Sequence, residues 1–325
     1  MEEKKKTAKE IIEGYDGPPV RIMEVCGTHT HEIFRLGIRK LLPEQVELIS
    51  GPGCPVCVTQ VGFIDEVIYL ALERQVTICT FGDLVRVPGT NMSLAGAREK
   101  GAKIRIVYSP VDAKEYAKEH PKEQVTFLSV GFETTTPSAC LSVKKAREEG
   151  LTNYSILTAN KTMPQAYEAL KGSADIFLYP GHVNAITGTK LCEELAKEGV
   201  SGVVAGFTAK ELLTALAVAL ARFQEGRPFF VNCYPRVVTE NGSPQAQKLV
   251  EEMMEPCDSE WRGLGVIKGS GMRLQEEWSA FDARKKYKIP PIQGKANPAC
   301  RCGDVLQGKC RPSDCKVFGK VCTPQ

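Results

Sequence analysis

Residues 20–42, VRIMEVCGTHTHEIFRLGIRKLL, and the run QVELIS at 45–50 hold one pattern: a short apolar run, a loop of glycine and small polar residues, an amphipathic stretch, and a second apolar run. The pattern recurs outward from there. Strand-like VTICTF, KIRIVYS, VTFLSV, YSILTA, DIFLYP and GVVAGF follow, with helical stretches such as QVGFIDEVIYLALE and SACLSVKKAREEG between most of them. Apolar strands that alternate with amphipathic helices predict parallel sheets covered on both faces. So many strands predict an α/β chain of two Rossmann-like parallel-sheet domains, over 1–122 and 123–228. After residue 229 the character changes, and 229–325 reads as a small, mainly helical, Cys-rich domain.

Composition narrows the function classes. Hydrophobic residues make up 42% and charged residues 25%, which places the chain of 325 residues among globular proteins large enough for more than one core. The opening MEEKKKTAKE has no apolar run behind its charges, so no secretory signal is expected. The most apolar helical stretch, ELLTALAVALA, is too short to span a bilayer. The expectation is a cytoplasmic protein with no membrane partner. A net charge of +3 and the lack of arginine–aromatic interleaving argue against nucleic acid. The charge is uneven, since residues 285–325 carry nine Lys/Arg against two Asp. Such an end suits an acidic partner, a thiolate cluster, or plain solvation.

Thirteen cysteines in a chain read as cytoplasmic point to metal or thiol chemistry rather than a disulfide framework. Cys79, Cys140, Cys192 and Cys233 stand singly in apolar surroundings and read as small buried hydrophobes; Cys257, in EPCDSEW, reads either way. The others are grouped. Cys54 and Cys57 in GPGCPVC form a Cys-x-x-Cys between a strand and a helix, a spacing that serves either a redox dithiol or two legs of a metal site. Cys26 opens CGTHTHE with His29 three residues on, where the imidazole can share a metal or act as the base that makes a thiolate. Alternatively His29 caps the helix, and His31 only orients the loop. Cys26, Cys54 and Cys57 together offer three soft donors, suited to iron, zinc or copper(I). With His29 they would close a structural zinc site; without it a fourth position stays open.

The loops CGTHTHE, SGPGCPVC, TFGD, SVGFETTT, TANKT, YPGHV and GFTAKE all follow predicted strands, where open α/β sheets bind ligands. Asp83, Glu133, Thr134–Thr136 and His182 lie there too. For Glu133 and the threonines, helix capping is the competing reading. No dinucleotide fingerprint or P-loop lysine is present. At the end of the chain Cys300, Cys302, Cys310, Cys315 and Cys322 fall within 23 residues, enough thiolates for a [4Fe–4S] cluster or zinc, at a spacing unlike the ferredoxin run.

These stretches resemble one family. MEVCGTHTHEIFRLGIRKLLP, SGPGCPVCVT, FGDLVRVPG, GFETTTP, YPGHVNAITG and ACRCGDVL…RPSDCKVFGKVCTP are similar to the motifs of the HypD-type [NiFe] hydrogenase maturation proteins, from about residue 22 to the end. The resemblance implies two similar α/β domains plus a third that holds a cluster. It implies work with a small HypC-type chaperone and a HypE-type cyanide donor, in a transient complex that builds the Fe(CN)2CO group. Iron-binding and redox-active thiols then match Cys26, Cys54 and Cys57, with His29 in the associated Cys-x-x-His. Electrons are expected to pass between a C-terminal [4Fe–4S] cluster and the Cys54/Cys57 pair. The family pattern continues past Gln325 with further cysteines, some of them cluster ligands. The ligand set among Cys300, Cys302, Cys315 and Cys322, with Cys310 as a substitute, is therefore not fixed residue by residue. The chain reads as a redox-active assembly scaffold rather than a single-substrate enzyme. The rival reading is a thiol–disulfide oxidoreductase with a structural zinc; a third is a non-catalytic docking scaffold.

Overall fold

The computed structural model describes residues 6–323. Eleven strands follow in order: β1 (Val20–Glu24), β2 (Val46–Ser50), β3 (Thr77–Thr80), β4 (Ile104–Ile106), β5 (Val125–Gly131), β6 (Tyr154–Lys161), β7 (Ile176–Pro180), β8 (Ser201–Ala205), β9 (Phe230–Asn232), β10 (Met254–Trp261) and β11 (Gly265–Leu274). They form two sheets. One has the order β2-β1-β7-β8-β9 and is parallel throughout. The other has the order β10-β11-β6-β5-β3-β4, parallel from β6 to β4, with β10 and β11 added as an antiparallel ribbon on β6. The expected α/β class with two parallel-dominated sheets is what the chain forms.

The sheets belong to two compact units built from separated stretches. The first collects the described residues up to Cys54 with Tyr167–Pro244 and Asp304–Arg311; the second collects Pro55–Ala166, Gln245–Gly303 and the described residues from Pro312 on. The sequence reading set its domains end to end, at 1–122, 123–228 and 229–325. In space the grouping is interleaved, because β1 takes β7 rather than β3 as its second neighbour. The segment after 229 is also less helical than its composition suggests. It holds the helix Pro244–Met253, but residues 254–274 are the β10/β11 ribbon.

Burial explains why these runs are strands. Every residue of β5 and β6 is buried, as expected for central parallel strands sandwiched between helices. Alternate residues feed opposite faces: Ile78, Leu128 and Leu157 enter one core, and Cys79, Phe127 and Ile156 the other. In the first unit the helix Ala209–Phe223 lays Leu212, Leu216 and Leu220 on β1, β7 and β8, at the i, i+4 spacing of a buried stripe. Thr208 and Glu211 close a capping box at its start. No helix among the described residues is long and apolar enough to cross a membrane.

Candidate metal centre

In the first sheet the chain runs from β1 outward to β2, then returns to place β7 on the other side of β1. The order therefore reverses at the carboxyl ends of β1 and β7, where open α/β sheets bind ligands. Cys26 stands two residues after β1, and His182 two residues after β7.

Cys26 is the N-cap of the helix Gly27–Arg35, in extended backbone. The loop after β2 lies directly against it. The Gly27 amide donates to Gly53 O at 2.8 Å, and the Gly51 amide to Glu24 O at 2.9 Å. This approach is backbone on backbone: a Cβ at Gly53 would sit 2.1 Å from the Cys26 nitrogen and 2.3 Å from its Cα. Only glycine permits it. The contact carries Cys54 to the same place, since a Cβ on Gly27 would lie 3.2 Å from the Cys54 Cβ.

Burial sets the electrostatics. Cys26 is 8% exposed, and burial pushes its thiol above the usual range, with the Cys54 thiol adding to the rise. The Thr28 and His29 amides and the Thr28 hydroxyl act the other way, although none makes a full side-chain cap hydrogen bond. Burial thus favours the neutral thiol over the thiolate at Cys26.

His29 is fully buried, and burial lowers its pKa to about 4, so the ring is neutral. Its Nε2 lies 3.0 Å from Gly206 O. A carbonyl only accepts, so Nε2 carries the proton and Nδ1 keeps its lone pair. That Nδ1 is enclosed without a hydrogen-bond partner. Phe207 packs against the His29 ring at 4.7 Å and stacks on exposed His182 at 3.8 Å. His31 points elsewhere, 72% exposed and 3.9 Å from Glu32.

An ion pair with a buried carboxylate and an exposed guanidinium lies beneath. Glu24, fully buried, accepts from Arg39 Nη2 at 2.6 Å and from Ser50 Oγ at 3.3 Å. Burial raises its pKa, and Arg39 opposes the rise. Sequence reasoning missed Glu24, Arg39 and Phe207. A signal existed for Glu24: it is the one acid inside the apolar run VRIMEV.

Cys57 belongs to the second unit and is exposed, while Cys54 is half-buried. The turn between them is fixed by Thr59, whose hydroxyl donates to Pro55 O at 2.8 Å and whose amide donates to Val56 O at 3.2 Å. The next helix, Val61–Glu73, starts after an N-cap at Gln60, so the thiol at a helix start is Cys26. Glu133 and the threonines also make no side-chain cap. Thr135 and Thr136 turn back to Phe132 O, and Glu133 Oε1 accepts from the Met163 amide at 2.8 Å. Glu133 Oε2 is enclosed without a partner, and burial lifts this carboxyl to about 7. Asp83 is exposed in the turn Gly82–Leu84.

Among the described residues no three His, Cys, Asp or Glu side chains gather closely enough to hold a metal ion. Cys26 and Cys54 come together within the first unit. At the chain end the Cys300 and Cys302 sulfurs are 3.2 Å apart, and Cys322 is near enough to help raise the Cys302 thiol, whose rise is chiefly due to burial. Cys315 is lowered by the Arg301 and Val317 amides. Cys310 lies in the other unit. These thiols suit an iron–sulfur cluster in kind. In placement they do not yet converge.

The lone cysteines fall where packing puts them. Cys79, Cys140 and Cys192 are buried, and burial pushes each up to about 12, leaving them inert thiols.

Comparison with known proteins identifies the family. The HypD sequence profile, described as "Hydrogenase formation hypA family", matches residues 2–325. Hydrogenase maturation factor HypD of Escherichia coli K12 is 42% identical over 315 residues, covering 94% of this chain and 84% of that protein. The Cupriavidus necator HypD is 40% identical over 326 residues, with 96% and 86% covered, and that of Rhodobacter capsulatus 42% identical over 317, with 94% and 84% covered. With the profile matched over residues 2–325 and relatives about 40% identical over nearly the whole chain, the chain belongs to the HypD family of hydrogenase maturation factors.

Proposed function

We propose that this maturation factor is the iron-binding, redox-active scaffold on which the Fe(CN)2CO group of [NiFe] hydrogenases is assembled, together with a HypC-type chaperone and a HypE-type cyanide donor. The observation that carries the reading is the glycine-enforced contact that sets Cys26 and Cys54 side by side at the β1/β7 crest. Two adjoining thiols suit soft, low-spin iron, and thiolate donation strengthens its bonds to cyanide and CO. Iron is cargo here, taken up and handed on.

The residues divide the work. Cys26, buried and protonated, releases its proton as iron binds, so uptake weakens as pH falls. His29, held neutral by burial and fixed by Gly206 O, offers Nδ1 as a further donor or as the base for the thiol proton. Cys54 and Cys57 supply further sulfur, or close a disulfide that gives two electrons to the assembling iron group and two protons to solvent, to be reopened by two electrons and two protons. Cys300, Cys302, Cys315 and Cys322, with Cys310, are the proposed cluster thiols; a [4Fe–4S] cluster would supply electrons.

The test is iron content. In the complex with the HypC-type chaperone, Cys26→Ala is expected to lower iron from near stoichiometric to background while circular dichroism stays unchanged. Stoichiometric iron in that variant would refute the role. The exposure of Cys57 favours the second reading, thiol–disulfide exchange. Sulfide and zinc analysis after anaerobic purification separates the two: acid-labile sulfide supports the cluster, and zinc without sulfide supports the oxidoreductase.

A further inference from the structure

The second sheet has its own reversal. The chain passes from β3 to its outer neighbour β4, then returns to lay β5 on the other side of β3. A ligand crevice is expected at the carboxyl ends of β3 and β5. A cavity of about 130 Å³ lies there. Phe81, Leu128, Val130 and Thr135 line it, and its wall is completed by Pro55 and Val56, the two residues inside Cys-Pro-Val-Cys.

The polar groups of the lining are turned away or exposed. The Thr80 hydroxyl donates to Phe81 O at 3.2 Å, and the Thr135 hydroxyl to Phe132 O at 3.3 Å. Both are therefore engaged with nearby backbone, leaving a largely hydrocarbon wall. Among the described residues Asp83 is the single charged residue of the lining, with no Lys, Arg or His beside it. An anion would find no cation and one carboxylate. A metal cation would lack a donor set, since no such group forms among the described residues. What remains is a small uncharged guest. Enclosed apolar cavities of about 150 Å³ in other proteins take benzene or xenon; this one is similar in size and partly open beside exposed Asp83.

We propose that this cavity is a binding site for a small uncharged molecule of the size of carbon monoxide or xenon, held against the turn that carries Cys57. In the maturation reading that guest is carbon monoxide, the uncharged ligand of the iron group, and this clause alone rests on that reading. The cyanide ion, present at alkaline pH, is excluded by the same wall.

Xenon tests the cavity independently of function. With the full chain labelled at its methyl carbons, xenon pressure is expected to shift the Leu128 and Val130 methyl signals saturably. Val56→Phe, a change at a half-buried loop position, is expected to weaken the response roughly tenfold or more. Thr135→Val should retain it, because the hydroxyl makes no contact the guest needs. Carbon monoxide should compete with xenon, and potassium cyanide at alkaline pH should not. Absence of saturable shifts in the natural chain, or an unchanged response in a folded Val56→Phe protein, overturns the site. Loss of binding in Thr135→Val, or displacement by cyanide, overturns its apolar character. If xenon binds and carbon monoxide fails to compete, the assignment of the guest is wrong while the cavity stands. If the Cys26→Ala protein keeps its iron while xenon still binds, the maturation reading fails and the cavity survives it.

Discussion

Gly53 shows how one missing methyl group assembles a site. Its Cα faces the peptide between Val25 and Cys26, and an added Cβ would meet backbone atoms that no side-chain rotation can move. Gly53→Ala is therefore expected to cost roughly 2–3 kcal/mol as the loop is pushed off. It should also raise the reactivity of Cys26 toward a thiol reagent. Urea midpoints and alkylation rates check this; a loss under about 0.5 kcal/mol would show that the two loops are not in contact. Glu133 carries a separate prediction. Its folded pKa of about 7 lies above the ordinary carboxyl value, so between about 4.5 and 7 the folded chain binds the extra proton. Stability from this group is complete below the unfolded value and falls as pH rises through the folded one, by at most about 3 kcal/mol. Glu133→Gln keeps the Met163 hydrogen bond and cannot ionise. The gap between variant and natural protein should therefore widen from pH 5 to pH 8 in favour of the variant. A constant gap would place the carboxyl in water.

At the scale of elements, the parallel strands were legible because burial on both faces leaves uninterrupted apolar runs, and VTFLSV and YSILTA lie in strands buried at every position. The β10/β11 ribbon was not. MEPCDSEW carries proline and charge and GVIKGSG is rich in glycine, so neither reads as a strand until the edge of β6 supplies a partner. What holds the ribbon is tertiary. Trp261 is fully buried, donates to Ser270 Oγ at 2.8 Å, stacks near Phe132 at 5.8 Å and pairs through its backbone with Thr59. Lys161 Nζ lies 5.4 Å from its ring and donates to Ser259 Oγ and Glu260 O. Trp261→Ala should cost about 3–5 kcal/mol. Because Thr59 also ties down the Pro55–Val56 turn, alkylation of Cys57 should change in the same variant. A small stability loss would mean that the ribbon is an appendage. The site was half legible for a related reason. Sequence spacing exposed Cys26, His29, Cys54 and Cys57, and the lone acid in VRIMEV marked Glu24, whereas Phe207 and Arg39 are brought to the crest by strand order and packing.

Strand order also governs the molecule as a whole. The sequence shows a strand–helix repeat but not which strands become neighbours, and the pairing of β1 with β7 and of β3 with β5 decides the units. A cut at residue 122 leaves β1 and β2 without β7, β8 and β9, and β3 and β4 without β5 and β6. In such a fragment β1 and β3 would each expose one edge and much of both apolar faces. Core residues such as Ile22, Ile78 and Val67, fully buried in the intact chain, would be left facing water. At roughly 1.5–3 kcal/mol for each large aliphatic side chain returned to water, the deficit exceeds the net stability of an ordinary domain. The fragment 1–122 is therefore expected to aggregate or to give a collapsed, poorly dispersed amide spectrum, while the full chain gives a dispersed one. A well-dispersed, cooperatively unfolding fragment would show that the first four strands can form a sheet of their own, and that the interleaved pairing is not what stabilises the Cys26 crest.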